Sequence, residues 1–424
     1  MSEFLEVLPA VVILFVLLFA GIPIYLSILV AALYLSYFVV QIPLEGMFVG
    51  LYEALTKPSL LAVPLFLLAG SFLGETPAGE RLIDIFSALF RRFKAGLPLT
   101  SLFANAFFGA ISGSAPAAVA TFSKVVHEPL KARFGERLSI GLITSSGGLS
   151  TIIPPSITLI IYGVVTDTSI TDLFLGGVGP GLVLVALVGA YLILRARQVE
   201  DFEDAGVGHR LKEHGILSTV AVVLFPVVVL GGIYAGYFTP TEAGAVAAIY
   251  AALMGLGHLN LRGFLAALAG ASRVTGQIFI VIAASAVLAQ AMTLARIPQL
   301  IADGFAGMSA WQFLLMLNVV LLIVGAFFDP ASAILVLAPL FLPSARALGL
   351  DPIHIGVVFT VNLSIGMFTP PFGLNIFVAQ SVLKRPMEVI SRSVAPYVGL
   401  YLIGLLLVTY LPWIATWLPA AVRG

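Results

Sequence analysis

The chain contains no cysteine, which excludes disulfides, thiolate metal centres and cysteine nucleophiles together. Charge is nearly as scarce. Asp, Glu, Lys and Arg supply 10% of the 424 residues, where a soluble domain carries roughly 25%. The 21 basic and 21 acidic side chains cancel, so no global field recruits nucleic acid or an acidic surface. The five histidines, His127, His209, His214, His258 and His354, are scattered and form neither HExxH nor a paired ligand spacing. A G-x-S-x-G turn is also missing, and Ser112-Gly113-Ser114 has no base placed beside it. An intramembrane enzyme is therefore a poor reading. A carboxylate proton relay fits no better, because acidic residues inside the apolar segments are few, Asp329 being the exception.

What is abundant is hydrocarbon. Hydrophobic residues make up 60% of the chain, and apolar runs long enough to span a bilayer recur along it. The expectation is an all-α polytopic membrane protein embedded in lipid. The first six residues carry Glu3 and Glu6 where a signal peptide wants Lys or Arg, so the first run reads as a retained span. Spans are expected near 4–20, 22–40, 58–75, 138–166 and 172–195, and again near 216–237, 242–258, 274–294, 353–383 and 394–418. Thr239-Pro240-Thr241-Glu242 and Asp351-Pro352 read as helix starts.

Two apolar runs are interrupted by paired prolines, Pro154-Pro155 and Pro370-Pro371, and these pairs lie 216 residues apart. Pro180 and Pro396 share that offset, which is the signature of an internal repeat. Each proline removes a backbone donor, so a helix broken there frees carbonyls and amides at membrane depth. Two further segments, 97–130 and 311–346, have polar or helix-breaking midpoints, Ser112-Gly113-Ser114-Ala115-Pro116 and Asp329-Pro330-Ala331-Ser332, and read as re-entrant hairpins. The layout is a first repeat over 1–195 with a broken helix at 138–166, a linker over 196–215, and a second repeat over 216–424 with a broken helix at 353–383. Arg91, Arg92, Lys94, Lys124, Lys131, Arg133, Arg137, Arg195, Arg197, Arg210 and Lys212 all face the cytoplasm in one topology. Five spans per half then make the repeats inverted, an arrangement typical of secondary transporters.

Neutral oxygen chemistry remains. Ser112, Ser114, Ser150 and Thr151 in the first half, and Asp329, Ser332, Asn362, Ser364 and Thr369 in the second, place side-chain oxygens at the four breaks. Such oxygens suit a hard cation such as sodium, and half-helix N-termini suit an anion's carboxylates. Small residues at a single break would equally serve close helix packing. Four breaks in two matched pairs favour a binding site.

At these residues the chain resembles the large membrane subunit of tripartite ATP-independent periplasmic (TRAP) transporters. The resemblance runs nearly end to end, through Gly21-Ile22-Pro23, Leu61-Ala62-Val63-Pro64, Phe108-Gly109-Ala110-Ile111-Ser112-Gly113-Ser114, Ile153-Pro154-Pro155-Ser156, Phe238-Thr239-Pro240-Thr241-Glu242 and Thr369-Pro370-Pro371-Phe372-Gly373-Leu374-Asn375. It implies an elevator-type transporter of the ion-transporter architecture in the bacterial inner membrane. A small four-helix membrane subunit and a periplasmic substrate-binding protein would be its partners, and an organic anion such as a C4-dicarboxylate or sialic acid its substrate. Two sodium (Na+) sites are implied, one at Ser112, Ser114, Ser150, Ile153 and Pro155, the other at Asp329, Ser332, Gly366, Phe368 and Pro371. The substrate would meet Gly113, Ser114, Thr151, Ser156, Asn362, Thr369 and Asn375. The chain departs from the family's pattern at Ala115-Pro116-Ala117-Ala118 and at Ser150, where the family usually has Gly. A self-sufficient sodium/anion symporter is the alternative reading.

Overall fold

The computed structural model describes residues 2–198, 216–256, 259–304 and 307–423. His209, His214, His258 and most of the expected linker fall outside them. Among the described residues there are twenty α-helices and no strand. The first half comprises α1 (Ser2–Phe19), α2 (Ile24–Tyr34), α3 (Leu44–Leu55), α4 (Ala62–Gly74), α5 (Ala78–Phe90), the hairpin arms α6 (Gly96–Ser112) and α7 (Ala115–Phe134), the half-helices α8 (Glu136–Ser146) and α9 (Ile157–Thr166), and α10 (Ile170–Ala196). The second half comprises α11 (Ile216–Tyr234), α12 (Pro240–Gly255), α13 (Leu261–Leu294), α14 (Ile297–Gly304), the arms α15 (Ala310–Gly325) and α16 (Pro330–Ala347), the half-helices α17 (Pro352–Gly366) and α18 (Leu374–Leu383), α19 (Met387–Tyr410) and α20 (Trp413–Arg423).

Three expected spans differ in extent. The span read at 58–75 is the second limb of a longer element, since α3 and α4 join through a short 3-10 turn at a 54° bend. Pro58 has no N–H to continue α3, which explains where the bend falls. The span read at 274–294 begins at Leu261, because the Asn260 side chain caps the helix by accepting from the Gly263 amide at 2.8 Å. Arg262 and Arg273 mask that first stretch in a hydropathy reading. The last span ends at Tyr410 instead of 418, and Pro412 separates it from α20. Both expected helix starts form. Glu242 and Thr239 make a reciprocal capping box, and Asp351 accepts from the Ile353 amide at 2.7 Å.

By length and apolar composition α10, α13, α16 and α19 are each able to cross a membrane, as is the bent pair α3 and α4. Around α13 lie α2, α3 and α4, with α12 laid along α4. The hairpins and broken helices form the other packed group, where α19 lies on α8, α17 on α15, and α18 on α7. Helix α16 touches both groups, through α9 and α13.

Lipid gives helices no hydrophobic reason to associate, so close backbone approach and interhelical hydrogen bonds decide the packing. Two of the close approaches repeat at the offset of the prolines. A side chain on Gly109 would overlap Ser150, and one on Gly366 would overlap the Gly325 carbonyl. Residues 109 and 325, and 150 and 366, are again 216 apart. Each hairpin's first arm is thus pressed against its own broken helix. Gly109→Val and Gly366→Val are each expected to destabilise the protein by about 1–3 kcal/mol through overpacking. Gly231→Val, where nothing lies within 4 Å, should leave stability nearly unchanged. Thermal unfolding of the detergent-solubilised chain, followed by size-exclusion recovery, checks the contrast.

Candidate functional site

The two hairpin tips are built alike. Helix α6 ends on Gly113, whose φ of 61° is left-handed and so favours glycine. Ser114 then caps α7, its Oγ accepting from the Ala117 amide at 3.3 Å, while Ser112 Oγ accepts from the Ser114 amide at 3.4 Å. At the second tip Asp329 caps α16, accepting from the Ser332 amide at 3.1 Å and from the Ser332 hydroxyl at 2.5 Å. Asp329 lies at the surface of the chain, Gly113 and Ser114 are half-buried, and Ser112 and Ser332 are buried.

The breaks follow the prolines. After Ser146 the helix tightens into a 3-10 turn over Gly147–Thr151 and then leaves helical geometry until Ile157. The second break runs between Gly366 and Leu374, and both Pro-Pro bonds are cis. Hydroxyls in the first break turn onto its own carbonyls: Ser150 donates to Gly147, Thr151 to Gly148 at 2.8 Å, and Ser156 to Thr151. Ser156 also caps α9 by accepting from the Leu159 amide at 3.4 Å. In the second break Thr369 donates to Ile365 at 2.7 Å, and the Asn375 amide donates to the Met367 carbonyl at 2.8 Å. Among the described residues no protein donor reaches the carbonyls of Ile153, Pro155, Phe368 or Pro371. Side chains cap the helices that leave the two tips and the first break, α7, α9 and α16; α18, which starts after Gly373, has no such cap.

The two breaks meet. Ser364 Oγ donates to the Gly148 carbonyl at 2.7 Å, so residues 216 apart touch one another. A side chain on Gly148 would crowd Ser364 Oγ at 2.8 Å and the Phe368 ring at 2.9 Å. Asn375 reaches back from α18 to the Thr144 carbonyl at 3.3 Å, and Tyr401 of α19 donates to the Ser145 carbonyl at 3.0 Å while stacking edge-on against Phe368. Ile153 lies against Gly181 of α10, and Ile157 against Gly113 of the first tip. Hairpin arms, breaks and Asn375 are therefore joined in one buried seam, with Thr369, Pro371 and Asp329 toward its rim.

Asn362, expected to meet substrate, is buried, with its amide nitrogen held in a clamp. Its amide donates to Asn318 Oδ1 at 2.8 Å and to the Val358 carbonyl at 2.8 Å, and Asn318 in turn donates to Thr409 at 3.1 Å. The first half has a counterpart in Asn105, whose amide donates to Ser146 Oγ at 2.8 Å and to the Ile143 carbonyl at 3.3 Å. Residues 146 and 362 are themselves 216 apart. Asn105, Asn318 and Thr409 escaped the sequence reading; two lone asparagines inside apolar hairpin arms were the available signal. Among the described residues Asn105 Oδ1, Asn362 Oδ1 and Asn375 Oδ1 are buried without a partner, and no group of three His, Asp or Glu side chains converges.

Paired hairpins and paired broken helices that close on one seam of backbone and amide oxygens define a membrane permease. The comparisons agree. Residues 11–414 match the family described as tripartite ATP-independent periplasmic transporter, DctM component. A C4-dicarboxylate TRAP transporter large permease protein of Pseudomonas aeruginosa is 36% identical over 379 residues, covering 88% of each chain. An ectoine TRAP transporter large permease protein of Halomonas elongata is 34% identical, covering 88% of this chain and 89% of its own. The crystal structure of the Alcanivorax borkumensis YdaH transporter shares the fold, with a TM-score of 0.60 over 88% of each chain at 16% identity. The chain belongs to the TRAP transporter family as a large permease subunit.

Asn318→Ala removes the centre of the second clamp and leaves Asn362 and Thr409 short of a partner. Stability should fall by roughly 0.6–1.7 kcal/mol, the range for interhelical hydrogen bonds in bilayers. A denaturant titration in mild detergent reads the loss, and Asn362→Ala should add little once Asn318 is gone.

Proposed function

We propose that this subunit imports a small organic anion, such as a C4-dicarboxylate, across the bacterial inner membrane on a sodium gradient, by sliding the hairpins and broken helices past the remaining helices. The observation that carries the reading is the set of unpaired carbonyls at the two breaks, Ile153 and Pro155 in one and Phe368 and Pro371 in the other. A carbonyl without a protein donor suits a hard cation, and the neighbouring hydroxyls and Asp329 complete an all-oxygen set. Ser112, Ser114 and Ser150 would join the first pair; Asp329, Ser332 and Gly366 would join the second. Gly113, Thr151, Ser156, Thr369 and Asn375, with the amides of α18, would face the anion. The shared 216-residue offset of the breaks and glycine contacts, and of the clamp partners Ser146 and Asn362, supports two halves of inverted topology. Family membership supports two partners, a small membrane subunit and a periplasmic binding protein that selects the solute.

The test is reconstitution with both partners in proteoliposomes. A sodium gradient alone should drive saturable uptake, and Asp329→Asn should raise the sodium concentration for half-maximal uptake by roughly tenfold, the loss of about one charge-assisted contact. Uptake driven by a pH gradient without sodium would overturn the coupling. Uptake by this chain alone would overturn the dependence on partners.

A further inference from the structure

We propose that Lys57 is a latch that holds the helix group around α13 to the first broken helix and sets how often the site-bearing group moves. Lys57 lies at the bend between α3 and α4, and the next residue is tied to the same group: Thr241 of α12 donates to the Pro58 carbonyl at 3.2 Å. The Lys57 ammonium reaches out of that group. It donates to the Val164 carbonyl in the last turn of α9 at 2.9 Å and to Asp167 Oδ1 just beyond it at 2.7 Å. A cation at a helix C-terminus satisfies carbonyls left without amides and faces the negative end of the helix dipole. Asp167, with a φ of 52°, turns the chain so that its carboxylate meets the same ammonium.

The surroundings make this contact decisive. Cavities of about 530 and 570 Å³ lie on either side of it; Lys57, Glu53 and Gln290 line the first, and Asp167, Thr168, Ser169 and Thr241 the second. Helix α9 packs on the bend turn and on α4 between these cavities, and the two Lys57 bonds are the polar part of that boundary. Charged groups nearby are Glu53, one turn before Lys57, and Arg346 of α16, which donates to the Thr166 carbonyl at 3.4 Å. Arg346 belongs to a hairpin arm, so its contact travels with α9. Lys57 stays behind. A shift of one helical turn, about 5.4 Å, breaks both of its bonds. The other end of α9 begins at Ser156, beside Pro154-Pro155, so the latch grips the half-helix that forms the first break.

This inference rests on the sliding reading above, and one experiment separates the two. The chain has no native cysteine, so spin labels can be placed at Ile249 of α12 and Leu182 of α10, both exposed. Distances between them are measured in the full complex in nanodiscs, with and without sodium and substrate. The unaltered chain should show two distances. Lys57→Met should raise the population of the minor one by roughly threefold to tenfold, the effect of losing one partly exposed charge-assisted contact. Asp167→Asn, at a carboxylate whose side chain is 81% exposed and so foldable, should shift it the same way by less, and Lys57→Arg should retain most of the original ratio. Two distances with an unchanged ratio in both Lys57→Met and Asp167→Asn would overturn the latch and leave sliding intact. A single distance under every condition would overturn sliding and the latch with it.

Discussion

Backbone that is not helical can exist at membrane depth only where protein, and not lipid, surrounds it. The whole arrangement of this chain answers that demand. Two hairpin tips and two broken helices interrupt the ladder of backbone hydrogen bonds; the chain's own helices cover the first break almost completely, while Asp329 at the second tip and Pro370, Pro371 and Phe372 in the second break stay exposed on this chain. Caps from Ser114, Ser156 and Asp329 satisfy amides at three starts. Several carbonyls at the breaks are met by hydroxyls from within the same turn, and those of Ile153, Pro155, Phe368 and Pro371 are among the ones no protein donor reaches. A chain cannot scatter such groups. Their concentration is what turns a structural burden into a place for an ion.

Packing without a hydrophobic drive explains the choice of residues around the seam. Gly109 and Gly366 allow helix backbones to meet where any side chain would intrude, and buried asparagines join each hairpin arm to its broken helix. Such bonds are individually modest in a bilayer. Their value here is geometric, because a hairpin fixed to its broken helix by both a glycine contact and an amide clamp keeps tip and break in register. The boundary with the helices around α13 combines close contact, as where Gly70 of α4 meets the Ser112 carbonyl, with the cavities beside Lys57.

Much of this was legible in the sequence. Paired prolines, the tips and the constant offset located hairpins and breaks within a few residues, because Pro and Gly act locally and their effect does not depend on the rest of the fold. The capped starts at Thr239 and Asp351 were legible for the same reason. Hydropathy failed where charge sits inside a helix or where a bend divides one: Arg262 and Arg273 hid the start of α13, and Pro58 disguised the continuity of α3 with α4. The clamp around Asn362 was not legible because a sequence shows that an amide is near a break but not which neighbour takes its hydrogen. Asn318 and Thr409 are distant in sequence from Asn362, and only the fold unites them. Lys57 and Asp167 were invisible as a pair on the same ground, being 110 residues apart.

The contact between Ser364 and Gly148 has a consequence for how the two halves diverge. Residues 109 and 325, or 150 and 366, meet different neighbours, and each can change alone. Here the corresponding residues are each other's surroundings. Two serines would compete for one space, and two glycines would leave a void with the Gly148 carbonyl lacking the Ser364 donor. Like two people sharing a doorway, the pair is stable only when its members differ. Identical residues at both positions would meet this conflict directly, so the contact itself favours a glycine on one side and a donor on the other.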